Sequence, residues 1–278
     1  ITRNRKARKI WLDQERYTLD VLKRFNVESQ KVRSRDAPFN KSTKFDPSEP
    51  TEEDIAFVAN KPHASVVGSV MCAAISTRPD TSSTVGVLSR CLKNPKKEHW
   101  TAAMHLLRCL SVTTKLKLEF SGDLDIVGWV DAAFNCDPYD CKSTTGYFLC
   151  FGRNPIVWKC KKQPGVPARS SAEAEHRAAA CYSLDLQWFK MLAETFEIPN
   201  WNKPTVTYED NQSCIKTAIN PFVQGRSKSY HLMYHSVRAC VDHKVMELKY
   251  IETKEQLADL MTKQLSREAF LRHRSKLL

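Results

Sequence analysis

Four acidic residues, each in a different local setting, are the ones whose types and spacing could do chemistry together. They are Asp131 in GWVDAAF, Glu175 in SSAEAEHRAAA, Asp210 in TVTYEDNQS and Asp259 in KEQLADLMTKQL. Carboxylates gathered in one place repel one another and lose hydration unless cations occupy the gap between them. An all-oxygen donor set suits hard divalent cations, magnesium above all, with manganese as a substitute. Asp131 and Asp210 follow apolar runs that read as strands, and a strand end can hold a carboxylate rigidly at the rim of a sheet. Glu175 and Asp259 lie in patterns that read as helices. Glu173 is the nearest rival to Glu175; two residues apart on a helix they point in different directions, so only one can face such a site.

The elements that must position these acids are written in the hydrophobic periodicity. Strands are expected at Asp125–Val130, Thr145–Phe151, Pro155–Lys159, Thr205–Glu209 and Val245–Ile251. A long helix is expected from Ala172 to about Phe196, with others at Gln212–Ile219, Tyr230–Val241 and Glu255–Leu265. The order βββαβα(α)βα implies an α/β fold, a mixed five-strand sheet covered by helices. Before it, Lys9–Leu12 reads as a short strand and Gln14–Phe25 as a helix. Residues 37–62, with Pro38, Pro47, Pro50 and Pro62, read mostly as loop. Helices follow from Ser65, at Thr81–Cys91 and at His99–Leu110, with TRPD turning the chain between the first two. A composition change at Ser121, Gly122 and Asp123 marks the expected boundary, giving a helical region at 1–121 and an α/β domain at 122–278.

The 278 residues carry a net charge of +12 and a pI near 9.2, a surplus that favours partners with phosphate backbones. The cations cluster: Arg3, Arg5, Lys6, Arg8 and Lys9, then Lys31, Arg33 and Arg35, then Lys159, Lys161 and Lys162 just ahead of the Glu175 helix. No apolar stretch approaches the roughly 20 residues that span a bilayer. The start, ITRNRKARKIW, lacks the apolar core of a secretory signal and an initiator Met, as a piece of a processed polyprotein would. A cytoplasmic or nuclear protein is expected. Ten cysteines show no CxxC spacing, so they read as reduced, mostly buried thiols rather than zinc ligands or disulfides. His231 and His235 are four apart without the Glu of HExxH, and read as stacked helix-surface residues.

The flanks of the four acids resemble the ribonuclease H domain of copia-type retrotransposon Pol polyproteins. GWVDAAF is similar to its first strand and KSTTGYFLCFGRNPIVWKCKKQ to its second and third. SSAEAEHRAAA is similar to its SSTEAEY-like helix start, YEDNQSCIKTAINP to its DNxSAI segment, and YIETKEQLADLMTKQL to its closing segment. Upstream, VGSVMCAAISTRPD, VLSRCLKNPKKEHWTAAMHLLRCL and WLDQERYTLDVLKRF resemble the end of the copia-type reverse transcriptase, a thumb- or connection-like region. Departures are Ala172 and His176 for Thr and Tyr, Met233 for an acid, and RSKSYH for RTKHID; none removes a carboxylate.

The resemblance implies a ribonuclease H-like fold and hydrolysis of the RNA strand of RNA–DNA hybrids by two magnesium ions, during retrotransposon reverse transcription. Asp131 would bridge both ions, Asp259 would serve the water side, and Glu175 and Asp210 the leaving-group side. Lys159, Lys161 and Lys162 would touch the nucleic acid. The implied partners are the hybrid and the upstream palm and fingers of the same polyprotein, with a virus-like particle as the setting of an active element. No YxDD polymerase motif occurs, so the chain alone does not polymerise. The alternative is an inactive remnant that binds nucleic acid or tethers a polymerase.

Overall fold

Two separate cores are built from these patterns in the computed structural model, which describes residues 1–27, 36–39, 45–122, 124–220 and 231–278. Lys31, Arg33, Arg35, Asp123 and the RSKSY run at 226–230 lie outside the described residues. One unit comprises residues 1–120 and 263–278, the other 121–262.

The first unit opens on a hairpin of β1 (Thr2–Asn4) and β2 (Lys9–Leu12). At its tip the Ala7 amide donates to Asn4 Oδ1 at 3.0 Å, and Arg8 takes a left-handed φ of 52°. Helices α1 (Glu15–Arg24), α2 (Glu52–Val58), α3 (His63–Ser76), α4 (Ser82–Leu88) and α5 (Lys97–Val112) follow, then β3 (Leu118–Phe120), antiparallel to β2. Val66, Val67, Val70 and Ala74 of α3 pack with Ala103, Leu106, Leu107 and Leu110 of α5, one apolar stripe from each helix. TRPD does turn the chain. Arg78, buried, donates to buried Asp80 from Nε at 2.9 Å and Nη2 at 2.8 Å, and Nη1 and Nη2 donate to Thr113. The stretch read as loop holds α2, which starts at a capping box of Thr51 and Asp54. The small sheet is only one-third legible in sequence: three-residue strands such as β1 and β3 exist because β2 pairs with both, and the partner of β3 lies more than 100 residues away.

The second unit is an α/β layer. Its elements are β4 (Ile126–Ala133), β5 (Thr144–Phe151), β6 (Asn154–Lys162), α6 (Ser171–Thr195), β7 (Thr205–Glu209), α7 (Gln212–Ile219), α8 (His231–Asp242), β8 (Met246–Tyr250) and α9 (Asp259–Thr262). The sheet order is β6-β5-β4-β7-β8. β4, β5 and β6 are antiparallel neighbours joined by short turns; β7 and β8 run parallel to β4 because helical crossovers precede them. This is the ribonuclease H-like arrangement. Ala174, Ala178, Ala179, Tyr182 and Leu186 of α6 pack on Val130, Tyr147 and Leu149. The small alanines let the helix lie close, and at Gly128 the Tyr182 hydroxyl occupies the space where a side chain would start. Thr207 donates to that hydroxyl at 3.2 Å.

Three expectations are corrected. Asp131 does not end its strand: β4 runs on to Ala133, and the acid sits inside it. Glu255–Leu265 is not one helix. A single turn at Thr253–Glu255 is followed by extended Gln256 and the four-residue α9, because the Gln256 amide bonds Val130 and Ala258 instead of letting a helix continue. The second domain does not run to the end of the chain. Helix α10 (Arg267–Arg274) groups with the first unit, where Arg267 Nε bonds Asp36 at 2.7 Å, Arg274 bonds the Asp36 carbonyl, and Phe270 is buried.

Candidate metal centre

Three of the four acids converge. Asp131 from β4, Glu175 from the second turn of α6 and Asp210 just past β7 bring one carboxylate oxygen each to within 4.8 Å of one another. Asp131 and Glu175 are buried, while Asp210 is half-buried at the open side. Each position follows from local structure. Asp131 is fixed by ladder pairing to Gly146 on β5. Glu175 is carried by a helix whose start is capped by Ser170, which accepts from the Glu173 amide at 3.1 Å. Asp210 sits in the turn between β7 and α7, where Asn211 caps the new helix by accepting from Cys214 at 3.0 Å.

Asp259 is not in this group. It is the buried first residue of α9, three positions before Thr262, whose hydroxyl donates to Asp131 Oδ2. Glu173 is separated from Glu175 by geometry: its carboxylate takes a 2.6 Å ion pair from Arg177 and the Arg169 amide at 3.1 Å, on another side of the helix. It fastens the 164–170 loop to α6.

Several neighbours escape sequence reasoning. Glu209, fully buried beside Asp210, accepts from the Asn211 amide at 2.9 Å. Burial pushes the Cys214 thiol well above its ordinary pKa, and the carboxylates of Glu209 and Glu175 add to that. The adjacent ED pair in TVTYEDNQS is the available signal: Glu209 closes β7 and Asp210 follows it in the turn. His176, which stands where Tyr is usual, is buried with its pKa pushed down to about 4, so it adds a neutral ring beside Tyr234 and no charge.

The three lysines of the edge strand are used differently. Lys159 pairs with Asp185 at 3.2 Å, and Lys162 pairs with Asp137 at 3.0 Å and Asp140 at 2.8 Å. Lys161 is exposed. Of the ten thiols, all free, five are buried, two are intermediate, and Cys72, Cys136 and Cys141 are exposed, so the buried reading holds for half of them.

The donor chemistry fits a hard divalent cation. Three carboxylate oxygens, with no sulfur or imidazole among them, form the only such group among the described residues. Among the described residues no helix is long and apolar enough to cross a membrane.

No protein-family model matches the chain. It is 38% identical over 97% of its length to the retrovirus-related Pol polyprotein from transposon TNT 1-94 of Nicotiana tabacum, covering 20% of that protein. It is 36% identical over 93% of its length to the corresponding polyprotein from transposon RE2 of Arabidopsis thaliana, covering 17% of it. The chain thus spans about a fifth of the length of the curated relatives it matches. A solved RNase H1 from the archaeon Halobacterium salinarum aligns with 50% of this chain and 94% of its own at 12% identity, with a TM-score of 0.35, too slight to add to the topology above. Along nearly its whole length, the chain is similar to a segment of the copia-type retrovirus-related Pol polyproteins of plant transposons.

Proposed function

We propose that residues 121–262 are a metal-dependent nuclease that hydrolyses the RNA strand of RNA–DNA hybrids. The observation that carries this reading is the convergence of Asp131, Glu175 and Asp210 within 4.8 Å on a ribonuclease H-like sheet. These three would hold magnesium, or manganese in its place, and Asp259 would complete the set. Bound there, the cation supplies charge neutralisation at the scissile phosphate and acidifies the attacking water. The chain's own contribution is placement. Asp131 is held by ladder pairing to Gly146 on β5, so the backbone that carries its carboxylate is fixed. Glu175 and Asp210 come from different elements, so their spacing is kept by the α6–sheet core.

Lys161 and, on the β1–β2 hairpin, Arg3, Arg5, Lys6 and Arg8 are exposed cations available to a phosphate backbone. Residues 1–120 would act as a thumb- or connection-like module beside an upstream palm and fingers, in the cytoplasm or nucleus. The test is a labelled hybrid incubated with and without magnesium. Fragments with 5′-phosphate and 3′-hydroxyl ends, lost on chelation and not supported by calcium, are expected; cutting that survives chelation would sink the reading.

One observation favours a second reading. Asp259 stands outside the converging group, which suits a remnant that binds hybrid without cutting it. Tight hybrid binding with no cleavage in either magnesium or manganese would establish it.

A further inference from the structure

We propose that the closing segment from Gln256 to Thr262 is a positioning clamp that aims the Asp131 carboxylate, with Thr262 as its contact and Gln256 as its anchor. This rests on the reading of Asp131, Glu175 and Asp210 as a divalent-cation site. Two side-chain bonds run from this segment to consecutive residues of β4. The Gln256 amide, fully buried, donates to the Val130 carbonyl at 3.0 Å, and its oxygen accepts from the Ala258 amide at 3.2 Å. Six residues on, the Thr262 hydroxyl donates to Asp131 Oδ2.

A bond to one carboxylate oxygen fixes rotation about the last side-chain torsion, and so decides where the other oxygen points. Helix α9 has four residues, too few to hold itself together, so its place is set by these bonds and by buried Leu257, Ala258, Leu260 and Met261. The seat on the sheet is cut to fit. Gly146 lies opposite Asp131 on β5, and a Cβ there would stand 2.6 Å from Met261 Cβ, 3.2 Å from the Ala258 carbonyl, and against Thr262 Cγ2. The same helix begins with Asp259, so the clamp that aims one acid also carries another of the expected four.

The test is calorimetric titration of Mn2+ into the full chain, without nucleic acid, comparing wild type with Asp131→Asn, Thr262→Val and Thr262→Ser. Thr262→Val is expected to weaken Mn2+ binding by about 10- to 100-fold, the usual effect of removing a bond that orients a metal ligand. Thr262→Ser, which keeps the hydroxyl, is expected to stay within about threefold of wild type on the same grounds. Should Thr262→Val fail to fold, Thr262→Ala removes the hydroxyl without branching and is read the same way. Wild-type affinity in a folded variant lacking the hydroxyl overturns the clamp alone. Wild-type protein that shows no Mn2+ binding sensitive to Asp131→Asn overturns the metal-site reading, and the clamp with it.

Discussion

In the unit formed by residues 1–120 and 263–278, buried Arg78 meets its opposite, buried Asp80, at 2.8 Å. In the unit formed by residues 121–262, buried Asp131 and Glu175 meet each other and Asp210. The first arrangement offsets desolvation within the fold; the second adds repulsion to it. The second kind is offset by a cation set between the carboxylates, by a shared proton, or by hydrogen bonds such as the one Thr262 donates to Asp131. The contrast teaches how to tell a structural charge from a functional one: by the sign of its neighbours, not by its burial.

That contrast can be broken by experiment. Asp131→Asn should lower hybrid cleavage by about a thousandfold or more, while hybrid binding changes little, because a metal ligand contributes several kcal/mol to the transition state. In metal-free buffer the same variant should be neutral or more stable by about 1 kcal/mol, since a repelling charge is gone. Denaturant titration beside the cleavage assay checks both, and a large loss of stability would make Asp131 structural. Asp80→Ala should do the reverse. It leaves Arg78 buried and unpaired, at a cost of about 3–5 kcal/mol in unfolding free energy.

Glu173→Gln sharpens the comparison within one helix. It weakens the bonds to Arg177 and the Arg169 amide and should lower stability by about 1 kcal/mol, with most cleavage retained. Glu175→Gln should abolish cleavage; a reversal of the two phenotypes would move the ligand to Glu173. The smallest effect is expected at the hairpin. Replacing Arg3, Arg5, Lys6 and Arg8 with Ser should make log affinity for hybrid fall less steeply with log salt, by about 0.7–0.9 for each phosphate that is no longer neutralised. An unchanged slope would mean these cations are only solvated. Truncating residues 1–120 is a poorer test, because it strips α10 of Asp36, the partner of Arg267.

What can be read from sequence follows from range. The apolar strands β4 and β5, the alanine-rich face of α6 and the stripes of α3 and α5 are local patterns, and all five elements lie within a few residues of where the sequence puts them. The three converging acids are legible because each sits in a long motif, although their distances are not. The helix expected around Asp259 misleads for a physical reason. Its segment looks helical residue by residue, but Gln256 has a partner 126 positions away that outcompetes the local turn. β3 and α10 depend on pairings of the same kind, Leu12 with Leu118 and Asp36 with Arg267, which no window of sequence contains.

Gly128 and Asp131 lie three positions apart on β4, and they record different histories. Any side chain at 128 intrudes on the Tyr182 hydroxyl, so a copy of this chain that has lost the glycine has lost the close seat of α6 on its sheet. A change of Asp131 to Asn leaves that seat untouched and removes only an anion. On the proposed nuclease reading, glycine retained at 128 among diverging copies is a tally of generations in which a folded product still mattered, and aspartate retained at 131 a tally of those in which cutting still mattered. Sequencing many copies and comparing the two rates of loss reads the clocks against each other. Equal retention is expected of lineages that kept the nuclease, and early loss at 131 alone marks those in which the domain outlived its chemistry.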